Sequence, residues 1–273
     1  MKKLWRLSLF TSAILVLLGL LFLGRDHSLD QLRQAGSIRI GYAVEAPYAF
    51  VSPDGSVTGE APEIARRMAS GLGIARVEWR QMEFSELIGA LQADRIDVAA
   101  AGLFITSERE ARVSFSVPTM AVRPALLVAR GNPKAIASYE QAARSGVHMA
   151  VLDGSMEQQI LLRLGVPAAR MLVVPDALTG QHAVESGLAD ALLLSEPTLL
   201  WMARQDQLGR TDLLVPRRGR GADDNYGHPA FAFRRDATQL RSAWNSVLVP
   251  YLGSADHRAL LLSLGLGDLA TLK

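Results

Sequence analysis

The sequence predicts a bilobed α/β fold, with two parallel-rich sheets, a hinge between them and an interlobe cleft. Three observations carry this prediction. Strand and helix patterns alternate along nearly the whole chain, and the alternation restarts after Gly131-Asn132-Pro133. The 273 residues leave enough chain, after an apolar N-terminal stretch, for two lobes of about 100–150 residues each. Hydrophobic residues make up 49% and charged residues 21%, the balance of a chain that buries a core.

The N-terminus comes first. Lys2, Lys3 and Arg6 precede a mostly apolar run over 7–24. A basic start followed by an apolar stretch is an export signal, and 1–28 is read as a signal peptide or a retained membrane anchor. Either way the remainder lies in the periplasm or outside the cell. Residues 29–34 form a short helix stopped by Gly36, and 37–42 alternates as a strand. Pro53-Asp54-Gly55 turns between short extended runs. An amphipathic helix fills 62–72, with Pro62 in its first turn and Gly73 after its end. A strand at 75–80, a helix at 85–92, a buried strand at 97–101 and a short helix at 107–111 follow. Residues 123–129 are extended.

The second run has helices at 138–144, 157–164, 177–186 and 196–205, and strands at 148–152, 171–174, 190–194 and 212–215. A polar loop covers 219–225. A strand at 230–233 leads to helices at 237–252 and 257–264. Crossings near 123–131 and 222–232 divide the chain into one lobe of 29–127 with 228–273 and a second of 128–227. Lobes joined this way close on a ligand by hinging.

Several classes are excluded. There is no cysteine, hence no disulfide, thiolate metal site, Cys nucleophile or lipid-bearing Cys. The five His residues have no metal-ligand spacing, and no P-loop, dinucleotide fingerprint, nucleophile elbow or HExxH pair occurs, so neither metal nor cofactor is expected. The net charge is +2 and scattered. Its one dense cluster, Arg217-Arg218-Gly219-Arg220, reads as a solvated loop, not a nucleic-acid surface.

What remains is a binding kit at the strand ends, where α/β sheets bind ligands. Glu45-Ala46-Pro47-Tyr48 follows the first strand. Phe84 opens the helix after the next. Gly102-Leu103-Phe104-Ile105-Thr106-Ser107-Glu108-Arg109 follows the third, and an Arg there can grip a carboxylate with two parallel bonds. Taken singly, a Phe such as Phe84 or Phe104 after a strand is more often core packing and an Arg such as Arg109 on a short helix usually solvated, while Glu45 fits a turn cap and Ser155 a helix N-cap.

Residues 40–50, Gly59-Glu60-Ala61-Pro62-Glu63, 97–109 and Tyr226-Gly227-His228-Pro229-Ala230-Phe231-Ala232-Phe233 resemble family 3 solute-binding proteins of ABC importers. The resemblance spans about 29–266 and implies a type II periplasmic-binding-protein fold working with an ABC permease as a monomer. Within the family the loop Glu45–Tyr48 is similar to the ectoine/hydroxyectoine branch. That similarity implies an aromatic box of Tyr48, Phe84 and Phe104, with Glu45 on the ligand's amidinium and Arg109, supported by Gly102 and Thr106, on its carboxylate. The ligand is then a small zwitterion. In amino-acid binders of the family an Asp after the 190–194 strand holds the α-ammonium. Ser195 stands there, one residue before Glu196, which could compensate, and Ser155 with the nearby backbone N–H groups of a helix N-terminus could hold the ligand carboxylate from the other side. Three alternatives stay open: a polar or cationic amino-acid binder, a periplasmic cyclohexadienyl dehydratase-like enzyme with a cleft Glu as general acid, and a tethered sensor.

Overall fold

The computed structural model describes residues 28–206, 208–215 and 226–267; the expected leader and the Arg217–Arg220 cluster lie outside them. Among the described residues no helix is long and apolar enough to cross a membrane. In chain order the first elements are α1 (Ser28–Ala35), β1 (Ser37–Tyr42), β2 (Phe50–Val51), β3 (Val57–Thr58), α2 (Glu60–Gly71) and β4 (Arg76–Gln81). A 3-10 turn (Phe84–Glu86), α3 (Leu87–Gln92), β5 (Val98–Ala99), α4 (Ser107–Glu110) and β6 (Ser114–Phe115) follow. The second run is β7 (Pro124–Ala129), α5 (Tyr139–Arg144), β8 (Met149–Leu152), α6 (Met156–Arg163), β9 (Met171–Val174), α7 (Ala177–Glu185), β10 (Ala191–Ser195), α8 (Glu196–Gln205) and β11 (Thr211–Leu214). The chain then returns through β12 (Ala232–Phe233) to α9 (Thr238–Tyr251) and α10 (Ala255–Ser263).

These elements build two five-stranded sheets, ordered β4-β1-β5-β12-β6 and β11-β7-β10-β8-β9. β1 pairs in parallel with β4 and β5, and β8 with β9 and β10. The remaining pairs are antiparallel: β12 with β5 and β6, and β7 with β10 and β11. Each sheet is therefore mixed. The antiparallel half comes from strands next to the crossings, which enter their sheet from the direction opposite to a helix-linked strand. The segment 124–129, read as a connector, is thus a central strand of the second sheet. The crossings themselves lie side by side, with Val122 and Gly227 exchanging N–H···O bonds of 2.9 and 2.8 Å.

Packing follows the patterns that predicted the elements. In α2 the buried Ala61, Ile64, Ala65, Met68 and Ala69 form one stripe at helical spacing. β10 is buried at every position, as expected of a strand covered on both faces. The return to the first sheet is anchored by Trp244, fully buried, whose ring lies 5.1 Å from Phe231 and 5.6 Å from Phe233. This leaves the carboxyl ends of β1, β5, β8 and β10 facing one another across the gap between the sheets.

Candidate ligand-binding site

The loop after β1 is folded on itself. Glu45 N–H donates to Ala49 O at 2.8 Å, and Glu45 O accepts from Tyr48 and Ala49 at 2.9 and 3.1 Å. It is also docked on the start of α2, because Glu60 and Ala61 N–H donate to Pro47 O and Tyr48 O at 2.9 and 3.0 Å. Gly59 makes this possible: a Cβ there would lie 2.7 Å from Tyr48 O. The Gly59-Glu60-Ala61-Pro62-Glu63 motif is therefore the seat of the Glu45–Tyr48 loop.

Two of the three aromatic side chains, Tyr48 and Phe104, come together, while Phe84 packs in a separate core cluster and meets Arg109. Tyr48 is buried, with its ring edge-to-face against Phe104 at 6.4 Å. Gly102 lies flat beneath that ring, since a Cβ would fall 2.6 Å from Tyr48 Cγ. Its role is to seat Tyr48. Phe104 also packs with Met120, Val122, Leu261 and Leu264, so much of its ring belongs to the core. Burial holds the Tyr48 hydroxyl well above its usual range. Ser195 is near enough to ease ionisation, yet the hydroxyl has no well-formed hydrogen bond among the described residues.

Arg109 spans the gap. Thr106 caps α4, its Oγ1 accepting from Arg109 N–H at 3.3 Å, which fixes where the side chain starts. Nη1 donates to Phe104 O at 2.7 Å, and Nη2 donates to Gly154 O in the second lobe at 2.8 Å. The guanidinium carbon sits 5.5 Å from the Phe84 ring centroid, a cation–π contact. Burial pulls the group down to about 10, opposed by Glu157, Glu108 and Glu45. A cavity of about 110 Å³ opens beside it, lined among others by Phe84, Thr106, Arg109, Gly154, Ser155 and Met156.

A second cross-lobe contact has the opposite polarity. Glu45 Oε1 accepts from Thr198 Oγ1 in the first turn of α8 at 2.7 Å, and Thr198 Oγ1 lies 3.0 Å from Ser195 Oγ. Burial raises the Glu45 carboxyl to about 7, against the Thr198 bond and the Arg109 charge. Further out, Phe50 and Trp201 close the rim with ring centroids 5.2 Å apart.

Of the nine residues singled out in the sequence, Phe84, Thr106, Arg109 and Ser155 line the cavity, Glu45 and Ser195 meet through Thr198, and Gly102 and Phe104 pack against Tyr48. Ser155 caps α6 through Gln158 N–H at 3.0 Å. Glu196 is engaged by Arg123 at the crossing, which donates two bonds of 3.0 and 3.1 Å to its carboxylate. The sequence reading missed Thr198 and, above all, Glu157. Glu157 is 3% exposed, in the first turn of α6, and is raised to about 7 by burial and by Glu45; its own amide, Arg109 and Ser155 oppose the rise. Its signal was present as an acidic residue two places after Ser155, in a pattern that ordinarily marks only a favourable helix start.

Two mixed α/β lobes, joined by paired crossings and meeting over buried ionic and aromatic groups, define a two-lobed binding protein that clamps a small solute. The chain belongs to the bacterial extracellular solute-binding proteins of family 3, whose sequence profile matches residues 38–252. It is 31% identical over 242 residues to a probable amino-acid ABC transporter periplasmic-binding protein of Sinorhizobium fredii, covering 87% of this chain and 80% of that one. It is 26% identical over 170 residues to the cyclohexadienyl dehydratase of Pseudomonas aeruginosa, covering 62% and 63%. Among solved structures, EhuB in complex with hydroxyectoine superposes with a TM-score of 0.81 at 29% identity, covering 91% of this chain and all of that one. An ancestral arginine-binding protein bound to arginine superposes at 0.75 and 25%, covering 84% and 98%.

Proposed function

We propose that this protein captures, outside the cytoplasmic membrane, a small solute bearing a carboxylate and a delocalised cation, and delivers it to the membrane component of an ABC importer. The observation that carries the reading is the placement of Arg109 and Glu45, both buried, on one wall with Tyr48 and Phe84. Arg109 takes the carboxylate and Glu45 the cation, whose charge the aromatic faces favour by about 0.5–2 kcal/mol per contact. Ectoine and hydroxyectoine fit this wall, and the likeness to EhuB supports them. The protein works as a monomer whose lobes, 29–127 with 228–273 and 128–227, hinge about the paired crossings. Residues 1–28 export it, as a signal or an anchor. Calorimetric titration of the full-length protein tests the assignment: ectoine or hydroxyectoine gives saturable heat. No heat with either, together with tight binding of arginine or glutamine, refutes the compatible-solute assignment and leaves the amino-acid reading.

A second reading, an enzyme, is favoured by one observation. Glu157 is raised to about 7 beside Arg109, the property a general acid needs near neutral pH. With the likeness to a cyclohexadienyl dehydratase, this makes turnover of prephenate or arogenate the assay that separates enzyme from binder. Binding without turnover leaves the transport reading standing.

A further inference from the structure

Three charged side chains are buried where the lobes meet, and they come from three different elements. Glu45 is on the loop after β1, Arg109 on α4 and Glu157 on α6; they are 8%, 8% and 3% exposed. Among the described residues one further cation, Arg112, lines the adjoining cavity; it is exposed and donates to Gln92 at 2.9 Å. The cleft face of α8 contributes Ser195 and Thr198, which are neutral hydroxyls. Glu196, beside them, is spent on Arg123. Tyr48 is neutral, and Glu60 on α2, behind Tyr48, is acidic. Glu108 on α4 is exposed to solvent. With both carboxylates ionised, two negative charges lie near one buried guanidinium, and the excess charge is met only by neutral donors, Thr198 on Glu45 and Ser155 with the residue's own amide on Glu157. Such a charge is expensive to bury unless something neutralises it.

We infer that Glu157 imposes a charge rule on this cleft: closure requires one additional positive charge, brought either by a ligand of net charge +1 or by a proton that accompanies a neutral zwitterion. The inference rests on the solute-binding reading, and it holds whichever solute occupies the site. The Ser155 end of α6 is then a cation-facing wall. A ligand carboxylate goes to Arg109 and not to the α6 N-terminus, where Glu157 already holds that place. Glu45 and Glu157 titrate as a pair, so the proton belongs to both. The raised position of each carboxyl in the closed form agrees with the rule, because the proton is retained there to higher pH than in an open, solvated form.

The test is calorimetric titration of the full-length protein from pH 5.5 to 8.5, in two buffers of different ionisation heat. Ectoine is the neutral zwitterion, and arginine and citrulline form a matched pair that differs by one charge. For a neutral ligand, affinity falls about tenfold per pH unit between pH 5.5 and 7, with heats that depend on the buffer. Arginine affinity stays level over the same range. In Glu157→Gln the neutral ligands lose their pH dependence, and arginine loses its advantage over citrulline, on the order of 30-fold. The wild-type pH series decides the matter even if the variant does not fold. Neutral ligands that bind with level affinity and buffer-independent heat overturn the charge rule while leaving the binding function intact. Absence of heat with all three ligands overturns the binding function and the rule together.

Discussion

Substituting Gly102 by alanine tests whether the aromatic wall is as tightly built as its geometry implies. The added Cβ would lie 2.6 Å from Tyr48 Cγ and 2.7 Å from Cδ1, well inside contact distance. Tyr48 cannot retreat easily: it is 1% exposed, and Phe104 stands against it. The backbone at Gly102 has φ +64°, a left-handed conformation that costs alanine about 1–2 kcal/mol. Forcing a ring aside in a filled core adds about 1–3 kcal/mol. Together these give about 2–5 kcal/mol, or a melting temperature lowered by roughly 4–20 °C for a chain of this size. Gly36 supplies the control, because it has φ +67° and nothing within 4 Å of its missing Cβ. Gly36→Ala carries the backbone cost without the collision. Thermal unfolding of both variants by circular dichroism separates the two contributions, and calorimetry of Gly102→Ala reads the displaced Tyr48 as weaker ligand binding. If Gly102→Ala melts no lower than Gly36→Ala and binds as wild type, the ring is not seated on that glycine and the account of the wall is wrong.

Three further predictions concern the charged groups. Thr198→Val removes the bond to Glu45 in the closed form, worth about 1.5–3 kcal/mol, so ligand affinity falls roughly 10- to 100-fold by calorimetry; a loss below about threefold argues that this bond is not part of the liganded state. Glu196→Gln costs only about 1 kcal/mol in chemical denaturation, because Arg123 keeps 34% of its side chain in solvent, and it leaves ligand affinity nearly unchanged; a loss of about 30-fold or more would place the ligand's cation on Glu196 instead. Glu60 is 1% exposed, and burial raises its carboxyl to about 7 from an ordinary 4.5. The folded state therefore holds this proton more tightly than the unfolded state, and stability falls as pH rises from about 4.5 to 7, by roughly 3 kcal/mol at most. Glu60→Gln removes that dependence, so the variant is more stable than wild type at pH 8 and close to it at pH 5, as read by urea unfolding; a smaller or reversed gain at pH 8 counts against a buried, strained carboxylate.

Much of this arrangement is legible in the sequence, for identifiable reasons. Helices and helix-linked strands leave local periodic patterns, so α2, β8 and β10 are readable from their own residues. The antiparallel pairing of β7 and β12 is not, because it depends on where the chain re-enters each sheet after crossing, a non-local fact. On the first wall, Glu45, Tyr48, Phe84 and Arg109 are readable because each lies on the segment that leaves a strand's carboxyl end, and strand ends converge in this class of sheet. Thr198 and Glu157 lie inside helix first turns, where a hydroxyl or a carboxylate is ordinary. Which face of that turn meets the other lobe is decided by lobe closure, and no periodicity in α6 or α8 encodes it. Ser195 is readable as the residue that closes β10, but nothing in the sequence sets Thr198 beside it as a partner of Glu45.

The two cross-lobe bonds also constrain how a ligand can enter the closed form. Arg109 has five N–H donors, of which Phe104 O and Gly154 O take one each. Three remain, enough for a two-pronged carboxylate without releasing the second lobe. Glu45 differs: its Oε1 is engaged by Thr198, which leaves Oε2 as the oxygen that would meet a cation. A ligand with one carboxylate and one cation can therefore add to both cross-lobe bonds instead of replacing them. Arg109 and Glu45 each tie first-lobe side chain to second-lobe helix start, one through a carbonyl before α6 and the other through a hydroxyl in α8. Ligand and closure are then coupled, because the charged groups proposed to hold the solute are the ones that tie the lobes. Under the proposed reading, a solute lacking either charge would leave one of the two ties unsupported and the corresponding buried group under-satisfied, a basis for discrimination without a large contact area.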